Sequence, residues 1–202
     1  MNNIKIKFCG LFREEDIEYV NKLNPDYIGF VFAKSKRQIT KEKAIGLKNK
    51  LKSNIKVVGV FVDEDIEKII DLLSNGVIDI AQLHGNEREE DIKNIKNIKN
   101  KSKKQVIKAI RVTTSEDIES WKNSCADFLL LDNGQGTGKT FDWNNIKNLN
   151  RPFFLAGGLS IDNIKEAIEK VSPMAIDISS GIESNGVKDY EKMKEVMKIL
   201  ER

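Results

Sequence analysis

The chain has 202 residues, 40% of them hydrophobic and 32% charged, and its 34 basic and 31 acidic residues leave a net charge of +3. At roughly 100–200 residues per domain this is enough chain for one sizeable core without staples. Two cysteines exclude a disulfide framework. One histidine and two cysteines fall short of the four N/S ligands of a structural zinc site. The balanced charge points to no nucleic-acid partner, and no apolar run is long enough to span a membrane.

Short β-branched runs alternate with amphipathic stretches along the whole chain. Ile4 to Cys9 reads as a first strand, and Ile17, Val20 and Leu23 give the following segment a helical face. Tyr27 to Phe32 is a second apolar run, followed by a helix over 41–51. Lys56 to Val62 reads as strand three, with Ile66, Ile69, Ile70 and Leu73 marking its helix. Ile78 to Leu83 is strand four, followed by a helix over 91–98. Val106 to Ile110 is strand five, with a short helix over 116–121. Phe128 to Leu131, Phe153 to Leu155 and Ala175 to Ile178 are strands six, seven and eight. Helices over 143–149, 161–171 and 190–200 follow them. The low-complexity stretch from Ile92 to Lys104 reads as a helix with its isoleucines inward and its lysines solvated.

Alternating strands and helices specify a parallel sheet with crossover helices. Eight such units close into a (β/α)8 barrel. An open doubly wound sheet is the competing arrangement, and it usually carries fewer strands. No proline- or glycine-rich linker interrupts the chain, so residues 1–202 read as one α/β barrel domain with short loops.

Barrels of this kind place their chemistry at the C-terminal ends of the strands. That rule selects Cys9 after strand one, Arg37 after strand two, and Gln82 and His84 at the end of strand four. It also selects Asp132 after strand six and Asp177 in strand eight. Gly157, Gly158, Ser180 and Gly181 follow strands seven and eight, where barrels often bind phosphate through backbone N–H groups. Cys125 precedes its strand and reads as packing.

Five segments, in chain order, carry a family resemblance. They are Lys7-Phe8-Cys9-Gly10-Leu11, Gln82-Leu83-His84-Gly85, the run from Leu130 to Trp143, Leu155-Ala156-Gly157-Gly158-Leu159, and the run from Asp177 to Glu183. Together they resemble the phosphoribosylanthranilate isomerase family from the first strand to the eighth. The chain departs from that pattern at Phe12, where the family usually has threonine, and in Gln135-Gly136-Thr137-Gly138, one glycine short of the family's loop.

The resemblance implies an Amadori rearrangement of N-(5-phosphoribosyl)anthranilate in tryptophan biosynthesis. It implies Asp132 as general acid, Cys9 as general base and no metal or organic cofactor. Lys7, two residues before Cys9 on one strand face, is the expected source of positive charge for a thiolate. Asp132 is expected where its proton is retained. Arg37 is expected to bind the anthranilate carboxylate, Asp177 to orient amine or hydroxyl groups, and Gln82 and His84 to line the pocket. The expected partner is a small phosphosugar, the expected unit a monomer or homodimer, and the expected location the cytoplasm. A metal-dependent epimerase of this fold would need more histidines. Indole-glycerol-phosphate synthase would be expected to use a lysine acid. A non-catalytic phosphate-binding barrel would have no use for Cys9 and Asp132.

Overall fold

A computed structural model describes residues 4–97, 104–133, 140–146 and 149–200. Eight parallel strands close on themselves in chain order. They are β1 (Lys5–Cys9), β2 (Tyr27–Val31), β3 (Lys56–Phe61), β4 (Ile80–Leu83), β5 (Gln105–Arg111), β6 (Phe128–Asp132), β7 (Phe153–Leu155) and β8 (Ala175–Ile178). The seam closes where β1 pairs with β8, setting Lys7 opposite Asp177.

The outer layer holds α1 (Glu14–Leu23), α2 (Lys41–Lys48), α3 (Ile66–Ser74), α4 (Glu89–Lys96), α5 (Ser115–Glu119), α6 (Ile164–Val171) and α7 (Tyr190–Ile199). Side chains that can satisfy the first free N–H groups open several of them. Thr40 accepts from the Lys43 N–H, Asp65 from that of Glu67, and Asp189 from those of Glu191 and Lys192. Asp16 reaches back to the N–H groups of Phe12 and Arg13, closing the entry to α1.

Alternation along each strand produces two apolar layers. Ile6, Phe8, Leu129, Leu131, Ile176 and Ile178 point outward and pack beneath the helices. Tyr27, Val58, Ile80, Ile107, Leu130 and Phe154 fill the interior, where Phe154 meets Tyr27 and Phe128 edge-on. With the base so packed, the polar side chains singled out from the sequence stand at the C-terminal mouth. Ile92 and Ile95 are fully buried, as the helical reading of that stretch requires. Residues 98–103 of it lie outside the described residues.

Two segments differ from expectation. Of the helix expected over 143–149, Trp143–Asn145 form a 3-10 turn capped by Ile146, and residues 147 and 148 lie outside the described residues. Leu149 does pack against the core, but from outside any helix. Past β8 the chain also forms an unexpected antiparallel hairpin, β9 (Glu183–Ser184) with β10 (Val187–Lys188). Asn185 and Gly186 turn it with φ of 53° and 80°. Two residues with positive φ are what a two-residue hairpin turn demands.

Candidate active site

A cavity of about 190 Å³ opens at the C-terminal ends of the strands. Cys9, Gln82, His84, Asp132, Gly157, Gly158, Asp177 and Ser180 all line it. Of the residues singled out from the sequence for the site, Lys7, Arg37 and Gly181 are not part of its wall.

Cys9 ends β1 and is 8% exposed. Its sulfur packs over β2 at Gly29, where a Cβ would come within 2.7 Å of Sγ. Lys7 lies one pleat deeper on the same strand face. Its Nζ donates to both oxygens of Asp177, at 3.0 and 2.9 Å, and the lysine is completely buried. Burial works against the Lys7 charge, but Asp177 and Cys9 more than offset it, and its pKa rises above the ordinary lysine value. The expected positive charge is therefore present beneath Cys9. It does not win, however. Burial pushes the Cys9 thiol up, and the pull from Lys7 does not compensate. Burial and the nearby Asp177 together hold the Cys9 pKa above the ordinary thiol value.

Asp132 is the last residue of β6. His84 Nε2 stands 3.4 Å from its Oδ2, and Gln82 Nε2 stands 3.0 Å from His84 Nδ1. Gln82 is 1% exposed, and its Oε1 has no hydrogen-bond partner among the described residues. Such an orphan costs about 1–3 kcal/mol. The backbone under His84 is fixed from three sides. His84 N–H donates to the Phe61 carbonyl, Gly85 N–H donates to Glu87 Oε2, and Lys108 Nζ donates to the Gly85 carbonyl at 2.7 Å. Lys108 and Glu87 form a buried ion pair at 2.8 Å. Sequence reasoning passed over Lys108, although a lysine inside the apolar run from Val106 to Ile110 was a visible signal.

Arg37 is already paired within the protein. Its Nε and Nη2 donate to Glu183 at 2.7 and 2.6 Å, which leaves the other edge of the guanidinium outside this pair. The guanidinium lies beside Gly10, where a Cβ would sit 2.5 Å from Arg37 Cδ. Glu183 also accepts from Lys188 Nζ at 2.6 Å. Lys188 in turn donates to the Ser179 carbonyl, and the Ser179 hydroxyl donates to the Cys9 carbonyl at 3.1 Å. The hairpin thus ties Arg37 to the backbone of Cys9. Burial raises the Glu183 carboxyl, but Arg37 and Lys188 outweigh it and hold the pKa below the usual carboxylate range. Lys188 carried no expected role, yet the Asn185-Gly186 pair between Ser184 and Val187 was a hairpin signal.

The two turns have distinct duties. Gly157 and Gly158 adopt φ of 81° and 66°. A Cβ on Gly157 would fall 2.7 Å from Asp132 Oδ1 and 2.8 Å from the Asn133 nitrogen. Asn163 closes this turn by donating to the Gly158 carbonyl. Gly181 serves a contact between loops, because its Cβ would sit 2.0 Å from the Leu159 carbonyl oxygen. Phe12 packs against the outer apolar layer. The short glycine loop, Gln135 to Gly138, lies outside the described residues.

A closed barrel that gathers a thiol, an imidazole and two carboxylates at its C-terminal mouth has the organisation of a (β/α)8-barrel enzyme, and this chain falls in that class. Residues 6–199 match the family model described as N-(5'-phosphoribosyl)anthranilate (PRA) isomerase. The N-(5'-phosphoribosyl)anthranilate isomerase of Clostridium acetobutylicum is 48% identical over 95% of both chains. That of Endomicrobium trichonymphae is 47% identical over 97% of this chain and 98% of its own. The crystal structure of phosphoribosyl anthranilate isomerase from Thermotoga maritima superposes with a TM-score of 0.88, at 37% identity and 98% coverage of both chains. A further solved isomerase, in complex with reduced 1-(o-carboxyphenylamino)-1-deoxyribulose 5-phosphate, has a TM-score of 0.86 at 36% identity, again over 98% of both chains. The chain belongs to the N-(5'-phosphoribosyl)anthranilate isomerase family.

Proposed function

We propose that this chain converts N-(5-phosphoribosyl)anthranilate to 1-(2-carboxyphenylamino)-1-deoxyribulose 5-phosphate by an Amadori rearrangement, as a step of tryptophan biosynthesis. The observation that carries this reading is the meeting of Cys9 and Asp132 on one small cavity in a chain of this family.

The reaction has two proton transfers on different atoms. Asp132 donates to the furanose ring oxygen, which leaves C1 as the ring opens and the anilino nitrogen becomes an iminium. Cys9 then removes the proton from C2, and the electron pair flows to the iminium nitrogen. The enolamine tautomerises to the ketone. The iminium is the electron sink, so the chemistry calls for neither a metal nor an organic cofactor. The same cation answers the electrostatic problem at Cys9. Burial favours the thiol in the resting site, and an iminium beside Sγ adds the positive charge that draws out a thiolate.

Asp177 and Gln82 face the ribose portion, and His84 stands against Asp132. The phosphate is held by backbone N–H groups of the turns at Gly157, Gly158, Ser180 and Gly181. Arg37 meets the anthranilate carboxylate through its remaining Nη edge, the Nε edge being held by Glu183. The unit is a monomer or a homodimer. The place of work is the cytoplasm, supported by a pathway role and by the lack, among the described residues, of any helix long and apolar enough to cross a membrane.

The test is turnover of N-(5-phosphoribosyl)anthranilate, followed by loss of its fluorescence. No conversion by the folded chain above the spontaneous rate would overturn the proposal.

A further inference from the structure

Glu183 and Lys188 stand directly opposite each other across the hairpin that follows β8. Lys188 is 2% exposed, and its Nζ finds acceptors on two sides, Glu183 Oε1 at 2.6 Å and the Ser179 carbonyl at 2.9 Å. Ser179 lines the cavity, whereas Lys188 does not, so the ammonium sits behind the wall rather than in it. The lysine backbone is held as well. Its carbonyl accepts from Arg13 Nη2 at 3.1 Å, and Arg13 is itself paired with Asp16.

Charge balance sets this cluster apart from its neighbours. Lys7 with Asp177, Lys108 with Glu87 and Arg13 with Asp16 each match one cation to one carboxylate. Glu183 meets two cations, Arg37 and Lys188, each at 2.6 Å. Together they hold its carboxyl ionised against burial. Burial lowers the Lys188 pKa, and Glu183 and Cys9 work against that lowering. An Arg37–Glu183 pair alone would carry no net charge. A second carboxylate approaching it would meet repulsion from Glu183 nearly as strong as attraction from Arg37. With Lys188 the three groups sum to one positive charge. Lys188 and Glu183 are buried, and Arg37 has 27% of its side chain exposed, so the surplus is offered to a ligand through Arg37.

We propose that Lys188 is a positioning residue that acts through Arg37, cancelling the charge of Glu183 so that Arg37 can be held by one carboxylate and still attract a second, that of an arylamine ligand. Orientation and charge are thereby divided between two residues. Glu183 aims the guanidinium, and Lys188 keeps the aimed group electropositive. The inference rests on the proposed meeting of Arg37 with the anthranilate carboxylate, and it adds the residue that sets selectivity for that group.

The test compares two ligands by titration calorimetry, without turnover. One is reduced 1-(o-carboxyphenylamino)-1-deoxyribulose 5-phosphate, and the other is the same compound lacking its carboxyl group. Lys188→Met should weaken binding of the first about 10- to 100-fold, the scale of one poorly screened charge at short range, and leave the second within about threefold. Lys188→Gln keeps an N–H donor but no charge. It should show the same selective loss, and it carries the test alone if Lys188→Met fails to fold. In turnover, KM should rise by more than kcat falls. Equal weakening of both ligands would overturn the proposal, because it would mark Lys188 as a general support of the fold. Wild-type binding in the neutral variants would overturn it as well. So would a fall in kcat with binding of the carboxylate compound unchanged, which would assign Lys188 to Cys9 instead of Arg37. Absence of turnover in the wild type with the selective loss intact would count against the proposed reaction and support the role of Lys188.

Discussion

Lys7 and Asp177 face each other across the seam that closes the barrel, and the lysine reaches both carboxylate oxygens from a position with no solvent exposure. A buried pair of this kind stabilises little relative to apolar packing but is costly to break, because one partner left alone is an uncompensated charge. Lys7→Met should therefore destabilise the fold by about 3–5 kcal/mol. The double variant Lys7→Met with Asp177→Leu should regain most of that loss. Denaturant unfolding of the four members of the cycle measures it, and additive losses would show that the pair is not coupled.

Cys9→Ala and Asp132→Ala should each leave a folded protein that binds substrate. Each should lower kcat by about 10²–10⁴-fold with little change in KM, as expected for a missing acid or base. Ring opening proceeds slowly without an enzyme, so Asp132→Ala should retain more activity than Cys9→Ala. Alkylation gives a second handle. Because burial raises the Cys9 pKa, its modification should be slow in the free protein at neutral pH and blocked by bound product. Near-normal kcat in Cys9→Ala would assign the base to another group.

Glu183 is predicted to matter through Arg37. In Glu183→Gln one oxygen becomes an amide N–H2, so either the Arg37 Nη2 bond to Oε2 is lost or the Arg37 Nε and Lys188 bonds to Oε1 are lost together, and the negative charge between the two cations goes with it. KM should rise about 10- to 100-fold, the equivalent of a hydrogen bond to a charged group worth about 1.5–3 kcal/mol, with kcat nearly unchanged. A substrate analogue lacking the anthranilate carboxylate should bind wild type and variant alike. The pH dependence has a definite sign. The folded pKa of Glu183 lies below its unfolded value, about 4.3 for glutamate. Its stabilisation is thus fully present above that value and is lost as pH falls through the folded pKa. The stability gap between wild type and Glu183→Gln should be constant from pH 7 to about pH 5 and should close in acid. A gap that persists at pH 2 would point to packing rather than charge.

Gly158 tests the phosphate cradle. It adopts φ of 66°, so any L side chain there carries strain of about 1–2 kcal/mol. Gly158→Val should raise KM strongly while the barrel still folds, measured by kinetics beside circular dichroism. An unchanged KM would remove this turn from phosphate binding. Gly157→Ala should differ, lowering kcat more than it raises KM, because its Cβ would press on Asp132.

Much of this molecule was legible in its sequence, and the failures share a cause. Strands announce themselves through local runs such as Lys56 to Phe61, and a parallel barrel then follows from their alternation with helices. Asp132, Cys9 and Asp177 were legible because the strand ends at which they stand are themselves local features. What escaped was set by contacts across long separations. Trp143 has helical neighbours in sequence but forms only a 3-10 turn. Arg37 was visible as an arginine near the mouth, yet the carboxylate that claims it is 146 residues away. Lys7 does pull on the Cys9 thiol as expected, but burial and the charge of Asp177, neither of them visible in local sequence, outweigh it.

The contact at Gly181 has a bearing on how this barrel can be remodelled. With 2.0 Å between a hypothetical Cβ and the Leu159 carbonyl, the turns after β7 and β8 occupy one another's free space. A library that diversifies position 181 alone would return almost exclusively glycine. A loop transplanted after β7 from another barrel would arrive without the hollow it needs in its neighbour. The last quarter of the barrel is in this sense a single exchangeable cassette. Recombination with related barrels should succeed at breakpoints before β7 and fail between β7 and β8.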